Sequence, residues 1–272
     1  VTPEDIRNAA NKYFLANNTR VVIVGKAADV LPGLEAMSAK EKMPIFYFDK
    51  YGNPTEKPAM KKPVPAGVTT KTIIDKYIAA SGGDKAIKTV KTLASIGTTS
   101  IPQAPAPISF VSKSDSKGNM SVELAMGGMS LMKQVANQKE GYQSQQGQKK
   151  AIEGNDLQEM RASAIPFSEV SLATKPGVTV SGIEPINGSD AYAVVDGTTT
   201  HYFDLASGLK TAEAKTSEQA GKKSTSTTYY NDYKEVKGVK LPYNIVMNVG
   251  IELNIKISEI KVNEGVTDKD FE

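Results

Sequence analysis

One histidine, His201, is the side chain of this 272-residue chain best suited to acid–base chemistry near neutral pH. It stands in the segment THYFD, close in sequence to Asp196 and Asp204, so a histidine–carboxylate pair is the first hypothesis. In an extended strand, however, His201 and Phe203 share one face, whereas Tyr202 and Asp204 share the other. The spacing favours an ordinary histidine on a sheet face, and we assign no catalytic residue.

The sequence contains few residues that could support metal or thiol chemistry. The chain has no cysteine, which excludes disulfides, thiolate nucleophiles and iron–sulfur clusters. One histidine cannot form a multi-histidine metal site. Asp268, Asp270 and Glu272 lack the spacing of a calcium-binding loop, so they predict a solvated acidic end. We therefore predict that this chain binds neither a metal nor a cofactor.

Methionines and tyrosines supply the candidate binding chemistry. Methionine is unbranched and adapts to irregular apolar ligands, so a group of four fits either a hydrophobic cavity or a loosely packed core. Tyrosines on two neighbouring predicted strands fit either the mouth of a ligand cavity or ordinary cross-strand pairs. The methionines are Met120, Met126, Met129 and Met132, and the tyrosines are Tyr229, Tyr230, Tyr233 and Tyr243.

The overall charge is nearly balanced, because 33 Lys and Arg residues accompany 30 Asp and Glu residues, for a formal net charge of +3. Nucleic-acid-binding proteins usually carry a concentrated basic face, so this balance argues against that class. The sequence also lacks a run of about 18 apolar residues, the length that a membrane-spanning helix requires. We predict neither a nucleic-acid partner nor a transmembrane segment.

The elements that must position these residues fall into two parts. Thr2 can cap a first helix with Pro3 at its first position, and Val21 to Val24 predict a short buried strand. Four prolines then lie between residues 54 and 65. Since proline fixes φ and lacks an N–H donor, they predict an extended connector. The predicted parts are residues 1–50, a Pro/Lys-rich linker 51–68 and a second domain 69–272.

The second domain begins with helical spacing and then changes to short apolar runs separated by turn residues, which predict consecutive antiparallel strands. One helix interrupts these strands between Glu153 and Leu172, with Pro166 as its stop. The last strand, from Gly250 to Val262, alternates apolar and polar residues and is therefore half-buried. The pattern predicts an α+β fold in which an antiparallel sheet packs one face against helices.

The first 25 residues read VTPEDIRNAANKYFLANNTRVVIVG. Residues 1–48, which include this segment, resemble the closing helix and strand of insulinase-type (pitrilysin-like) zinc peptidases. The inverted zinc motif of that family, H-x-x-E-H, is absent here, so no catalytic residue is carried over. The resemblance implies a small αβ remnant of a peptidase domain, at the C-terminal end of a longer peptidase or of an inactive partner subunit. Any zinc would then belong to the missing upstream part.

About residues 69–272 are similar to the envelope lipoprotein-carrier (LolA/LolB-like) superfamily. The phrases that carry the resemblance are IIDKYIAASGGDKAIKTVKTL, YFDLASGL and GVKLPYNI. The resemblance implies a curved antiparallel half-barrel closed by helices, whose concave side holds acyl chains. It also implies a location in the periplasm or cell envelope of a Gram-negative bacterium.

Three functional hypotheses follow. The first is a non-catalytic C-terminal part of an envelope zinc peptidase, whose half-barrel binds a hydrophobic ligand or a peptide substrate. The alternatives are a stand-alone lipid- or lipoprotein-binding module and a domain that docks a paired peptidase subunit. This chain is expected to lack peptidase activity, and whether the parent chain is a zinc metalloendopeptidase stays open. The predicted cavity-lining residues are Met126, Leu131, Met160, Phe167, Tyr230 and Ile245.

Overall fold

A computed structural model of the chain describes residues 1–14, 20–25, 27–49, 51–58, 61–101, 106–145, 147–219, 222–248 and 252–272. The chain divides into two compact units, Val1–Met60 and Lys61–Glu272. The first unit contains helices α1 (Pro3–Tyr13) and α2 (Ala27–Glu41) and the short antiparallel pair β1 (Tyr47–Phe48) and β2 (Pro54–Thr55). Thr2 caps α1 as predicted, because its side chain accepts a hydrogen bond from the Asp5 amide.

The prediction of a strand at Val21–Val24 is wrong. Residues 20–24 adopt no regular structure, and their side chains are exposed, with 85% exposure for Val22 and 96% for Val24. An apolar run becomes a strand only where a neighbouring strand satisfies its backbone N–H and C=O groups. Among the described residues of this unit, β1 and β2 pair with each other and supply no such neighbour.

The helices of the second unit are α3 (Thr70–Ala80), α4 (Asp84–Thr89) and α5 (Gly154–Ala164). A 3-10 helix, Ser168–Ala173, follows α5, and a 3-10 turn, Asp268–Phe271, lies near the end of the chain. The helix predicted within Glu153–Leu172, with Pro166 as its stop, is confirmed, because α5 ends at Ala164 and a separate 3-10 helix follows Pro166. Proline disfavours helical conformation in the residue before it, which explains the break after Ala164.

Thirteen strands of the described residues form one antiparallel sheet with the order β8-β7-β6-β5-β4-β3-β15-β14-β13-β12-β11-β10-β9. The chain therefore runs through two meanders, β3–β8 and β9–β15, which are joined where the first strand, β3, pairs with the last, β15. The strands are β3 (Thr92–Thr99), β4 (Ile108–Asp115), β5 (Met120–Met126), β6 (Met129–Ala136), β7 (Gly141–Gln145), β8 (Gln148–Ile152), β9 (Thr179–Ile186), β10 (Ser189–Asp196), β11 (Thr199–Asp204), β12 (Lys210–Gln219), β13 (Lys222–Val236), β14 (Val239–Asn248) and β15 (Glu252–Val262).

The sheet has an inner face, which packs against the helices, and an outer face. Two buried clusters lie on the inner face: α3 packs against Val194 and Phe203 on β10 and β11, and α4 packs among residues of β4, β14 and β15. On β15 the predicted alternation is confirmed, because Leu253, Ile255 and Ile257 are buried and the residues between them are exposed. Residues 250 and 251 of that predicted strand lie outside the described residues.

The contacts of α5 require the sheet to curve. Leu157 lies close enough to Gly141 on β7 that a Cβ on that glycine would be 2.4 Å from its Cδ1 atom. Two residues later, Glu159 forms an ion pair of 2.8 Å with Lys215 on β12. These strands are eight positions apart in the sheet, about 38 Å if it were flat, whereas the whole 11-residue helix is only about 16 Å long. The inner face is therefore concave.

The outer face is covered in one place by the C-terminal turn. Phe271 is buried there, Asp270 forms an ion pair of 2.5 Å with Lys113, and the Asn137 amide donates to the Phe271 carbonyl. The solvated acidic end that the sequence predicts is confirmed at Asp268 and Glu272, which are exposed, whereas Asp270 is half-buried and the segment is packed against the sheet. Burial of the apolar Phe271 ring holds the neighbouring carboxylates against the sheet. The charge pattern of this segment does not indicate that burial.

The two edges of the sheet are protected differently. At one edge, Lys62 and Ile183 of β9 exchange two backbone hydrogen bonds of 2.8 and 2.9 Å, so the chain that leads into this unit covers the edge. At the other edge, β8 exposes Lys149 and Lys150. Lysines on an edge strand discourage pairing with another sheet.

The predicted α+β class, with a large curved antiparallel sheet and few helices, is confirmed. The peptidase remnant predicted for residues 1–50 is not shown by α1, α2, β1 and β2, and it stays a prediction. No helix in the described ranges has the length and apolar character needed to cross a membrane.

We expect Gly97→Ala to destabilise the second unit by about 1–3 kcal/mol. A Cβ at this position on β3 would lie 2.4 Å from the Lys256 carbonyl oxygen and 2.9 Å from the Ile257 Cα, so the β3–β15 junction would have to shift. Urea denaturation measures the change. Thr98→Ser, at the next and exposed position, should stay within about 0.5 kcal/mol of wild type. Equal stability of the two variants would contradict a tight junction.

Candidate ligand-binding interior

The inner face carries apolar side chains that are packed on one side and open on the other. They are adjacent to the buried cluster of Phe110, Leu241 and Ile255, yet each remains half-buried. We call this set the inner trough: Val122, Leu124, Tyr243, Ile245 and Met247. Each of these side chains therefore keeps part of its apolar surface uncovered by the protein, and removing such surface from water is favourable.

Three of the predicted cavity-lining residues meet on the inner face. Ile245 belongs to the inner trough, and Tyr230 lies directly opposite it on β13. Phe167, which has a left-handed backbone with φ of 57°, packs against both inner clusters from the start of the 3-10 helix. These three side chains thus surround one region of the concave face. Their role in binding a ligand stays a prediction.

The other three lie apart from this region. Met126 ends β5 and pairs with Met129 at the hairpin. Leu131 lies where the β5–β6 register shifts, and it has no directly opposite residue. Met160 is half-buried on α5. Alternation places Met120 and Met126 on the same face of β5 as Leu124, and Met132 lies directly opposite Leu124. The methionines thus lie on one hairpin beside the inner trough, and the place of Met126, Leu131 and Met160 in a cavity stays a prediction.

A buried ion network lies on the inner face beside Tyr230. The ammonium of Lys210, only 8% exposed, is 2.7 Å from Glu169 Oε1 on the 3-10 helix and 2.6 Å from Glu213 Oε2 on its own strand. His201 Nδ1 lies 3.3 Å from the same Glu213 oxygen, but the angle does not suit a hydrogen bond, and this nitrogen has no hydrogen-bond partner in the described residues. We call Glu169, His201, Lys210 and Glu213 the ion network.

Tyrosines complete the surroundings of Lys210. The Tyr77 hydroxyl donates to Glu169 Oε2 at 3.1 Å, and the Tyr233 hydroxyl donates to the Lys210 carbonyl oxygen at 2.6 Å. The Lys210 ammonium also lies 4.8 Å from the centre of the Tyr230 ring. Lys210 and Glu169 are therefore both provided with partners, as burial demands, whereas His201 Nδ1 has none in the described residues.

The cation controls the protonation of its neighbours. Burial alone would raise the pKa of Glu169 and of Glu213, but the charge and hydrogen bonds of Lys210 outweigh burial and hold both pKa values below the ordinary range. Burial would lower the pKa of Lys210, yet the two carboxylates and Tyr230 raise it well above its ordinary value. Burial raises the pKa of Tyr230 to about 12, so this phenol stays protonated. At neutral pH Lys210 is therefore a cation, and Glu169 and Glu213 are anions.

A β-bulge explains why the sequence does not reveal this network. The pairing of β11 with β12 shifts between Tyr202 and Phe203, so that Phe203 lies opposite Lys210, and Tyr202 opposite Ala212. The extra residue brings Lys210 and Glu213 to the same face, whereas strict alternation places residues three apart on opposite faces. Lys210, Glu213 and Glu169 were therefore not predicted as site residues.

His201 lies on the inner face together with Phe203, as predicted, and away from Asp204, which instead accepts a hydrogen bond from the Ser207 amide. Its carboxylate neighbour is Glu213 on the adjacent strand rather than either aspartate considered from sequence. Within the described residues, no group of three or more His, Cys, Asp or Glu side chains could hold a metal ion. The upstream zinc stays an untested prediction.

A second concavity, of about 670 Å³, lies on β7 and β8. Its walls are polar, formed by Gln143, Gln145, Gln148, Lys149 and Lys150. An apolar ligand gains nothing from such walls, so we place the candidate site in the inner trough instead.

We expect Lys210→Met to cost about 3–5 kcal/mol at pH 7, because it leaves two carboxylates without their cation. The wild-type glutamates have lowered pKa values, so their contribution is present above the unfolded-state pKa of about 4.3 and is lost as the pH falls below it. In the variant, burial raises both pKa values, so stability increases as the pH falls from 7 toward about 5. Denaturation curves measured across this range give the two slopes.

The matched control is Lys215→Met on the same strand. Lys215 is 48% exposed and pairs with Glu159, which is also exposed, so its removal should cost less than about 1 kcal/mol. Parallel pH slopes for wild type and Lys210→Met would show that Lys210 does not govern the two glutamates.

Comparison with known proteins yields similarity at low identity. No protein-family model matches the chain, and no curated protein matches it. Among solved structures, a LolA-superfamily protein from Nitrosomonas europaea shares 13% identity over 76% of this chain and 98% of its own, with a TM-score of 0.48. A DUF1329-family protein from Desulfovibrio piger shares 10% over 75% and 97%, with a TM-score of 0.48. The lipoprotein LppX of Mycobacterium tuberculosis shares 12% over 72% and 97%, with a TM-score of 0.29. The insulinase resemblance of residues 1–48 gains no support from these comparisons.

Proposed function

We propose that the second unit is a carrier-like module that binds a lipid or another hydrophobic ligand on its concave face. The observation that carries this proposal is the inner trough, a set of apolar side chains on β5 and β14 that are left half-buried around one well-packed cluster. Each Å² of apolar surface that a ligand removes from water contributes about 25 cal/mol. A ligand in the trough would therefore be stabilised by burying the apolar surface that the helices leave partly exposed.

The contact between α5 and β12 is one that a ligand can displace. The ion pair of Glu159 with Lys215 is exposed on both sides, and exposed pairs of this kind contribute at most about 1 kcal/mol.

This function is the stand-alone alternative predicted from the sequence rather than the peptidase tail. The ligand-binding surface is formed within the second unit, and it needs no hydrolytic residue. A parent zinc peptidase, a paired subunit and a location in the bacterial envelope remain further parts of the hypothesis. The hypothesis of a parent zinc peptidase is tested by whether the upstream coding sequence contains an H-x-x-E-H motif.

We expect Ile245→Trp to weaken the binding of N-phenyl-1-naphthylamine, a neutral apolar dye, at least about tenfold, which corresponds to 1.4 kcal/mol. The indole ring would fill the trough in place of the ligand. Fluorescence titration measures the affinity, and thermal unfolding verifies that each protein is folded. Organic extraction of the wild-type protein followed by mass spectrometry identifies any lipid that copurifies.

Val246→Trp is the matched control, since this neighbour on β14 faces the opposite side of the sheet and pairs with Tyr229. It should leave the dye affinity within about twofold of wild type. Dye binding that both variants reduce equally, or an absence of binding to the wild type, would contradict the proposed site.

A further inference from the structure

Helix α5 carries one cation on the side that packs against the sheet. The half-buried residues of its second half recur at the spacing of a single helix face, and they are Leu157, Met160, Arg161 and Ala164. Leu157 packs on Gly141 of β7, which identifies this face as the one directed at the concave side of the sheet. One turn later, a Cβ on Gly118 at the β4–β5 turn would lie 3.3 Å from the Arg161 Cβ. Arg161 therefore lies at the end of the concave face where β5 begins.

The Arg161 guanidinium is left without a partner in the described part of the chain. Its Nε atom is buried and accepts no ligand from these residues: no acceptor lies within hydrogen-bond distance, and no carboxylate among them forms an ion pair with it. The polar groups of the adjacent β4–β5 turn bond one another instead. The Asp115 carboxylate accepts from the Lys117 and Asn119 amides, and the Gln138 amide donates to Asn119 Oδ1. Since a buried N–H without an acceptor is costly, an acceptor supplied from outside the chain would be favourable here.

The chemistry of a guanidinium restricts what that acceptor can be. The group is planar and permanently charged, and its N–H donors point in parallel pairs, so it binds two oxygens of one carboxylate or phosphate at once. Charge-assisted hydrogen bonds of this kind are stronger than neutral ones, and they strengthen further where water is excluded. The unpartnered Nε of Arg161 therefore fits an anion with two oxygens better than a neutral hydroxyl group.

An apolar row leads away from this cation along β5. Alternation places four half-buried side chains on one face of the strand, and they are Met120, Val122, Leu124 and Met126. Val122 and Leu124 pack against the buried cluster around Ile255, so this is the inner face. The six residue steps from Met120 to Met126 span about 20 Å. Because Met120 is two residues from Gly118, the row has a cation at one end and hydrocarbon along the rest.

We propose that Arg161 anchors the headgroup of anionic amphiphiles, with carboxylate or phosphate oxygens accepting hydrogen bonds from its guanidinium and the tail lying along β5 over Val122 and Leu124. The inference rests on the hydrophobic-ligand binding proposed above, and it adds the charge and the orientation of the ligand. The acidic side chain two positions before Arg161 does not oppose an anion, because Glu159 is already paired with Lys215.

The test compares dodecanoate with dodecylamine, two amphiphiles with the same chain length and opposite charge. Each is titrated at pH 7, below its micelle concentration, against wild-type protein loaded with N-phenyl-1-naphthylamine. We expect dodecanoate to displace the dye at a concentration at least about tenfold lower than dodecylamine. Arg161→Met, which removes the charge and keeps an unbranched apolar side chain, should reduce this preference to less than about threefold.

Lys88→Met is the matched control, because it also removes one positive charge. Lys88 is 72% exposed and pairs with Asp84 on α4, so its loss should leave the preference within about twofold of wild type. Urea denaturation of Arg161→Met separates binding from structure. A variant that loses stability and keeps the wild-type preference would assign Arg161 a structural role and overturn the subsite.

Inorganic phosphate, which offers the oxygens without a tail, distinguishes a headgroup from a free anion. An excess of phosphate should leave the dodecanoate preference unchanged, and loss of the preference would identify a free-anion site instead. Equal displacement by both amphiphiles, or a preference for dodecylamine, would overturn the headgroup subsite while leaving hydrophobic binding intact. Failure of the dye and of both amphiphiles to bind would overturn the proposed function as well. The wild-type comparison alone decides the question if Arg161→Met does not fold.

Discussion

A sheet of thirteen strands offers more inner face than the helices packed on it can cover, and this shortage governs the rest of the second unit. Helices α3 and α4 with the 3-10 helix bury two regions of the face, around Phe203 and Ile255. Curvature brings β7 and β12 within reach of the same short helix, α5, which reduces the uncovered area. What remains uncovered is the inner trough. Its side chains are half-buried around the cluster that contains Ile255, and the proposed ligand would cover the rest of their surface.

The ion network is held by elements that are distant in sequence. Glu169 comes from the 3-10 helix, His201 from β11, and Lys210 and Glu213 from β12. A buried charge is tolerated only where its partners are fixed, and here the tyrosines on α3 and β13 fix them. The network therefore ties the covering helices to the sheet, and it sets the electrostatic character of the concave face.

Much of this architecture follows from patterns visible in the sequence. The alternation on β15 and the turn residues between successive strands identify an antiparallel sheet, because period two is a local property of the chain. The apolar run Val21–Val24 predicts a strand that does not form, because strand formation also depends on a partner strand, which the local pattern does not reveal. Lys210 and Glu213 are hidden by the bulge on β12, where one extra residue reverses the alternation. The packing of Phe271 on the outer face likewise depends on strands more than a hundred residues earlier.

The junction between β3 and β15 also has a consequence for the order in which the protein can fold. A ribosome completes residues 92–99 long before residues 252–262, so during synthesis β3 has only β4 beside it. One edge of the first meander therefore stays unpaired until the chain is almost complete. Contacts between strands so distant in sequence, such as β3 and β15, form slowly. The last strand of the chain therefore completes the pairing of the first strand of the sheet, and a chain shortened before residue 252 would leave β3 with one unpaired edge.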